Sequence, residues 1–151
     1  MLDVYLAVYG DLLFGEYSNR LAELHARAGG RSFLSRFDRR RTGPHGVVRA
    51  WHCADVPFAF GNLDDERLSF LIGGAPTPAD RALARRMVRA WADFAATGDP
   101  GWSPVGDATA EVRTWTADGD TDAGDRSTAG VRSSAEVRSL WAKADFPLLR
   151  P

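Results

Sequence analysis

Leu6, Tyr9, Leu13, Tyr17, Leu21, Leu24 and Ala28 recur at steps of three and four. That spacing draws one apolar stripe along a helix, and Gly29-Gly30 closes it as a C-cap does. From Arg31 to Phe37 the period drops to two. Phe33, Ser35 and Phe37 alternate with Leu34 and Arg36, which predicts a strand. Asp38 to Val47 is rich in charge and turn formers and predicts a polar connector. Asp64 is placed to cap a short helix running through Ile72 and stopped by Gly73-Gly74. Thr77-Pro78-Ala79-Asp80 opens the next helix with an N-cap, Pro at N1 and an acid at N3. Its stripe is Leu83, Met87, Trp91 and Phe94, and helical spacing of such large groups predicts plain core. Gly98 ends it, and Asp99-Pro100-Gly101 turns the chain. Glu111 to Thr116 predicts a short strand and residues 118–130 a flexible polar loop. Ser133 and Glu136 form a capping box before a last helix bearing Val137, Leu140, Trp141 and Ala144. No internal repeat interrupts this series.

Composition narrows the function classes. A chain of 151 residues, 44% hydrophobic and 26% charged, is too apolar for general disorder. It is one domain's worth of sequence. Nineteen basic against 20 acidic residues leave a net charge of −1, so no global field draws in nucleic acid or an anionic membrane. No run reaches the roughly 18 apolar residues of a membrane span. Met1-Leu2-Asp3-Val4-Tyr5-Leu6 has no basic leader, and Asp3 and Asp11 break the apolar run. One cysteine, Cys53, permits no internal disulfide. The chain is accordingly expected in the cytoplasm, unless a segment upstream of it in a parent protein carries an export signal.

Several residues invite a chemical reading and fall to a plainer one. His25 lies beside Glu23 and Arg27 on the polar side of the first helix and is expected to be solvated surface. Arg39-Arg40-Arg41 resembles a phosphate contact, but a solvated charge run is commoner and no aromatic interleaves with it. Asp118, Asp120 and Asp122 alternate like the first ligands of a calcium loop. Gly124 comes one place late, however, and Ala129 stands where the bidentate Glu belongs, so no metal or cofactor is expected. Cys53 adjoins His52, yet neighbours in sequence rarely meet as nucleophile and base.

The stretch His52-Cys53-Ala54-Asp55-Val56-Pro57-Phe58-Ala59-Phe60-Gly61-Asn62 carries the sharpest signal. A histidine, an acid three places on, then Pro-aromatic-x-Phe-Gly resembles the histidine loop of type-B carboxylesterases, the α/β-hydrolase branch that includes the cholinesterases. Trp91-Ala92-Asp93-Phe94-Ala95-Ala96-Thr97-Gly98-Asp99-Pro100-Gly101-Trp102 resembles the same family's W-x-x-F-A-x-T-G-D-P…W segment at a fitting distance. His45-Gly46 competes for the role, because many members carry glycine after the histidine. It fails on Val47-Val48-Arg49-Ala50, which do not match. Departures are Cys53, where glycine or a small residue is usual, and Ser103-Pro104, where Trp-Pro is commoner.

The resemblance implies a fold and a reaction. The fold is α/β: the C-terminal part of an α/β-hydrolase, residues 1–151 as a single partial domain, with helices, the last one or two sheet strands and an incomplete sheet. The reaction is carboxylic ester hydrolysis through an acyl-serine, with His52 as general base and then general acid. Histidine suits both tasks because imidazole changes charge near neutral pH. In these folds the order along the chain is nucleophile, acid, histidine. No Gly-x-Ser-x-Gly elbow occurs here; Gly30-Arg31-Ser32 continues Phe33-Leu34. Asp38 and Asp55 lie too near His52 in sequence to match the triad acid, and Asp55 matches the acid of the histidine loop itself. His52 is therefore the one triad position carried over, and the chain alone is expected to be inactive. The implied partners are an N-terminal esterase fragment and, once completed, a small-molecule ester. The alternative is a non-catalytic binding or complementation module retaining the hydrolase scaffold. Helix faces bearing Leu13, Tyr17, Leu21, Met87, Trp91 and Phe94 are expected to lack complete partners.

Overall fold

In the computed structural model, the described residues are 5, 8–43, 46–48, 50–106, 112–117 and 134–143. They fall into two units. One comprises Met1–Leu34, Pro104–Ala110 and Asp125–Pro151, the other Ser35–Ser103 and Glu111–Gly124.

In the first unit the predicted opening helix forms. A π-helical stretch, Asp11–Glu16, runs into α1 (Tyr17–Arg27). Glu16 is buried and accepts from Arg20 Nε at 2.8 Å, a pair four residues apart on adjacent turns. The last turn closes through Ala28 N–H to Leu24 and Gly30 N–H to His25. His25 is more than a solvated side chain, since its Nδ1 lies 2.8 Å from Ser32 Oγ and ties the helix end to the segment beyond. Val105 N–H donates to the Ser32 carbonyl at 2.7 Å. The last helix, α5 (Ser134–Lys143), also forms. Ser133 of its expected capping box lies outside the described residues, as do His45 and the loop 118–130.

The second unit holds the core. β1 (Leu34–Phe37) pairs with β4 (Val112–Trp115), a neighbour far away in sequence. The expected polar connector instead contains an antiparallel hairpin, β2 (Arg41–Gly43) with β3 (Gly46–Val48), in the register Arg41↔Val48 and Thr42↔Val47. Three-residue strands are too short to show alternation, so the β-branched Thr42, Val47 and Val48 went unread. Next come α2 (Val56–Ala59), a 3₁₀ turn Glu66–Leu68, α3 (Ser69–Ile72) and α4 (Pro78–Thr97). Asp65 rather than Asp64 caps the 3₁₀ turn, accepting from Arg67 N–H, while Asp64 pairs with Arg81 at 2.6 Å. Among the described residues the strands form two separate two-stranded sheets, consistent with an incomplete α/β layer.

Phe58, Ile72, Leu83 and Met87 are fully buried, with Leu63, Ala84, Ala90 and Trp115 around them and Phe37, Ala59 and Trp102 packed against them. Each large side chain buried contributes about 1.5–3 kcal/mol. The stripe of α4 divides between the two expectations held for it: plain core holds for its first half, Met87 included, and incomplete cover for its second. Leu83 and Met87 are core, but Trp91 and Phe94 remain 38% and 44% exposed. Periodicity shows which side of a helix is apolar; it does not show that anything covers that side.

An ion pair runs through this core. Arg39 Nε donates to Asp80 Oδ1 at 2.6 Å and its NH2 to Oδ2 at 3.0 Å, while NH1 donates to the Ile72 carbonyl at 2.7 Å. The side chains are 5% and 2% exposed. The arginine run is therefore not a uniformly solvated face: its first member is buried, and Arg41 donates to the Ala75 carbonyl at 2.9 Å. Asp80 also closes the capping box of α4, accepting from Thr77 N–H and Oγ1–H at 2.9 Å each while its own N–H donates to Thr77 Oγ1 at 3.1 Å.

Burial pushes the Asp80 carboxyl up, but the hydrogen bonds from Arg39 and Thr77 outweigh it and hold the group below its ordinary value. A carboxyl depressed by folding stabilises the fold above its unfolded value, about 3.9. That stabilisation is lost as pH falls through the folded value. Asp80→Asn should cost about 3–5 kcal/mol in urea unfolding at neutral pH, because it strands a buried guanidinium. Below about pH 4 the native chain should lose stability more steeply than the variant.

Candidate active site

The histidine turn is built from local hydrogen bonds and one deep anchor. Ala54 N–H donates to Trp51 at 3.0 Å and Val56 N–H to Cys53 at 3.2 Å, so the chain turns twice in six residues. Asp55 starts α2 by accepting from Phe58 and Ala59 N–H at 3.0 and 2.9 Å, with Pro57 in the first turn, where its missing N–H costs nothing. Phe58 and Pro57 are then driven into the core. Phe58 meets Phe37 at a tilt, ring centroids 5.1 Å apart, and lies beneath the Arg39 guanidinium at 5.3 Å. The Pro-aromatic step of the motif is thus a structural anchor.

The exit is equally constrained. Gly61 has φ 67°, and a Cβ there would come within 3.2 Å of Val88 Cγ2 on α4. Only glycine meets both demands without strain. Asn62 N–H returns to the Pro57 carbonyl at 3.1 Å. His52 sits outside this anchored frame, exposed, with Trp51, Cys53 and Asp55 also exposed around it. Trp51 meets Phe70 edge-on at 6.0 Å, and Phe60 is 78% exposed. Phe60 belongs to the motif read in the sequence, but Trp51 and Phe70 were not singled out; the signal available was Trp51 standing directly before His52.

Asp38 is engaged elsewhere, 3.6 Å from Arg40 Nε and with its N–H on the Trp115 carbonyl. Cys53 adopts φ 65°, the left-handed region where a side chain costs about 1–2 kcal/mol. This explains physically why glycine suits the place after such a histidine.

The second motif is structural throughout. Trp91 meets Trp102 edge-on at 6.4 Å, and Trp102 meets the buried Trp115 at 5.7 Å. Gly98 ends α4 at φ 73°, its N–H on the Phe94 carbonyl. Thr97 Oγ1–H donates to the Asp93 carbonyl at 2.8 Å, and Asp99 accepts from Gly101 N–H at 2.8 Å. Among the described residues no cluster of three His, Cys, Asp or Glu could hold a metal ion, and no helix is long and apolar enough to cross a membrane.

Comparison with known proteins bears on this geometry. The Carboxylesterase family matches residues 1–123. Acetylcholinesterase 1 of Caenorhabditis elegans is 32% identical over 113 residues, 68% of this chain and 17% of that protein. Carboxylesterase 5A of Felis catus is 33% identical over 103 residues, 65% of this chain and 18% of that protein. A solved PNB esterase superposes with a TM-score of 0.72 at 26% identity, over 81% of this chain and 25% of that one. The chain spans about a sixth of the length of these curated relatives.

Replacing Cys53 with glycine should raise the unfolding free energy by about 1 kcal/mol, read as a higher urea midpoint at unchanged slope. Cys53→Val should lower it, because a β-branched side chain tolerates that backbone least.

Proposed function

This chain belongs to the carboxylesterase family, and from that membership we propose that it is the C-terminal, histidine-bearing part of a serine esterase. The observation that carries the reading is the exposed His52 on a turn clamped at Phe58 and Gly61. In the proposed reaction the His52 imidazole accepts the proton of a serine hydroxyl as its oxygen bonds to the ester carbonyl carbon. The imidazolium then returns that proton to the departing alkoxide, leaving an acyl-serine and a free alcohol. Water, deprotonated by the same imidazole, attacks the acyl carbon; the serine leaves with the proton and the carboxylic acid is released.

The serine and the acid that orients the imidazole lie outside this sequence, which has no Gly-x-Ser-x-Gly. The substrate class is a small carboxylic ester, and the setting is the cytoplasm, on the grounds of composition. The same missing motif supports a second reading, a non-catalytic module that keeps the scaffold for binding.

The chain alone should hydrolyse a p-nitrophenyl ester no faster than its His52→Ala variant. Combined with an esterase polypeptide carrying nucleophile and acid, it should turn over, and His52→Ala should lower kcat by about 10⁶. A well-formed complex without turnover would favour the binding module.

A further inference from the structure

Trp51 and Ala54 are the two corners of the turn that carries His52. Ala54 N–H donates to the Trp51 carbonyl at 3.0 Å, and Cys53 is the one non-glycine at positive φ among the described residues. A bond from the fourth residue back to the first, with positive φ at the third alone, is the type II pattern. His52 is thus the second residue of a tight turn, and it points where the two corners point. The downstream corner is seated, since Ala54 is 4% exposed and α2 leads from it into the core. A turn held at that corner alone would swing about it.

The upstream corner is exposed without being loose. Trp51 is 48% exposed, yet its ring meets Phe70 edge-on with the planes at 62°, an arrangement that aromatic pairs prefer. Phe70 is on α3, and the hairpin that leads toward Trp51 rests on the same element and its exit. Val48 of β3 lies 3.5 Å from where a Cβ on Gly73 would stand, and Arg41 of β2 donates to the Ala75 carbonyl. The helix α3 is in turn fixed from within, because Ile72 is fully buried and its carbonyl accepts from Arg39. Hairpin and tryptophan therefore lie on one shelf, touching it at Ala75, Gly73 and Phe70.

We propose that Trp51 is a positioning residue for His52: braced on Phe70, its indole fixes the upstream corner of the turn and with it the direction of the imidazole. The catalytic use of that direction rests on the function proposed above; the brace itself does not. An aromatic pair suits the task because an edge-on contact sets the angle between two rings as well as their distance. Placement matters at this residue, since a shift of about 1 Å at a reacting group can cost about 10²-fold in rate.

NMR relaxation on the full chain tests the brace without any ester. The His52 and Cys53 amides of the native chain should show order parameters of about 0.85, and in Phe70→Ala these should fall below about 0.6. Trp51→Ala should have the same effect, and Trp51→Phe, which keeps a ring against Phe70, should restore most of the order. The amides of Phe58, Ala59 and Ala84 to Ala90 should keep their native values in every variant, a contrast that general destabilisation does not produce. Phe60→Ala, which removes another exposed aromatic, should leave His52 as ordered as before.

Unchanged order at His52 in Phe70→Ala overturns the proposal, as does a native turn already below about 0.6. So does a loss that spreads through α4 or that Trp51→Phe fails to repair. The Trp51 variants decide the matter should Phe70→Ala lose its native circular dichroism. A brace-dependent His52 in a chain that yields no ester turnover leaves the brace standing and counts against the esterase reading alone. Turnover with a His52 indifferent to Trp51 does the reverse.

Discussion

One guanidinium joins the parts of the second unit that adjoin the histidine. Arg39 follows β1 directly and spends its donors on the Asp80 carboxylate at the start of α4 and on the carbonyl ending α3. Its face covers Phe58 of α2. Four elements far apart in sequence are thereby fixed to one buried charge. Desolvating such a pair is expensive, and a well-packed apolar substitute is often as stable. What the ion pair adds is direction: bidentate geometry admits one register of β1 against α4, where an apolar contact admits several.

The histidine turn inherits that order. Phe58 is held from above by Arg39 and from the side by Phe37, and Gly61 brings the backbone hard against Val88 of α4. Ahead of those clamps the chain faces outward at Trp51, His52 and Cys53. The strained backbone of Cys53 persists beside a chain that is fixed a few residues on. The two motifs that mark the family thus divide their tasks. The first presents an imidazole, and the second ends a helix and props a tryptophan ladder beside the core.

Helix ends were legible in the sequence because their signals are local. Thr77, Pro78 and Asp80 sit within one turn, and Gly98 closes the same helix where its backbone demands it. The short hairpin was not legible, since three residues per strand carry no period. Nor was the fate of Arg39, whose partner lies 41 residues away; nothing near a charged side chain announces that it will be buried. The plain-core reading of Trp91 and Phe94 failed for a related reason, an apolar stripe being a demand for cover rather than proof of it; the expectation that this face lacks complete partners is the one their exposure fits. The histidine was found through the residues around it, and those are the ones the structure shows as anchors.

Amide hydrogen exchange on the native chain and on Arg39→Met tests most directly whether the buried guanidinium orders the histidine turn. This substitution leaves the Thr77–Asp80 cap in place. The amides of Ala59, Phe60 and Asn62, which close α2 and its exit, should lose protection while those in the middle of α4, Ala84 to Ala90, keep theirs. Unchanged protection across the turn, or an equal loss throughout α4, would contradict the account.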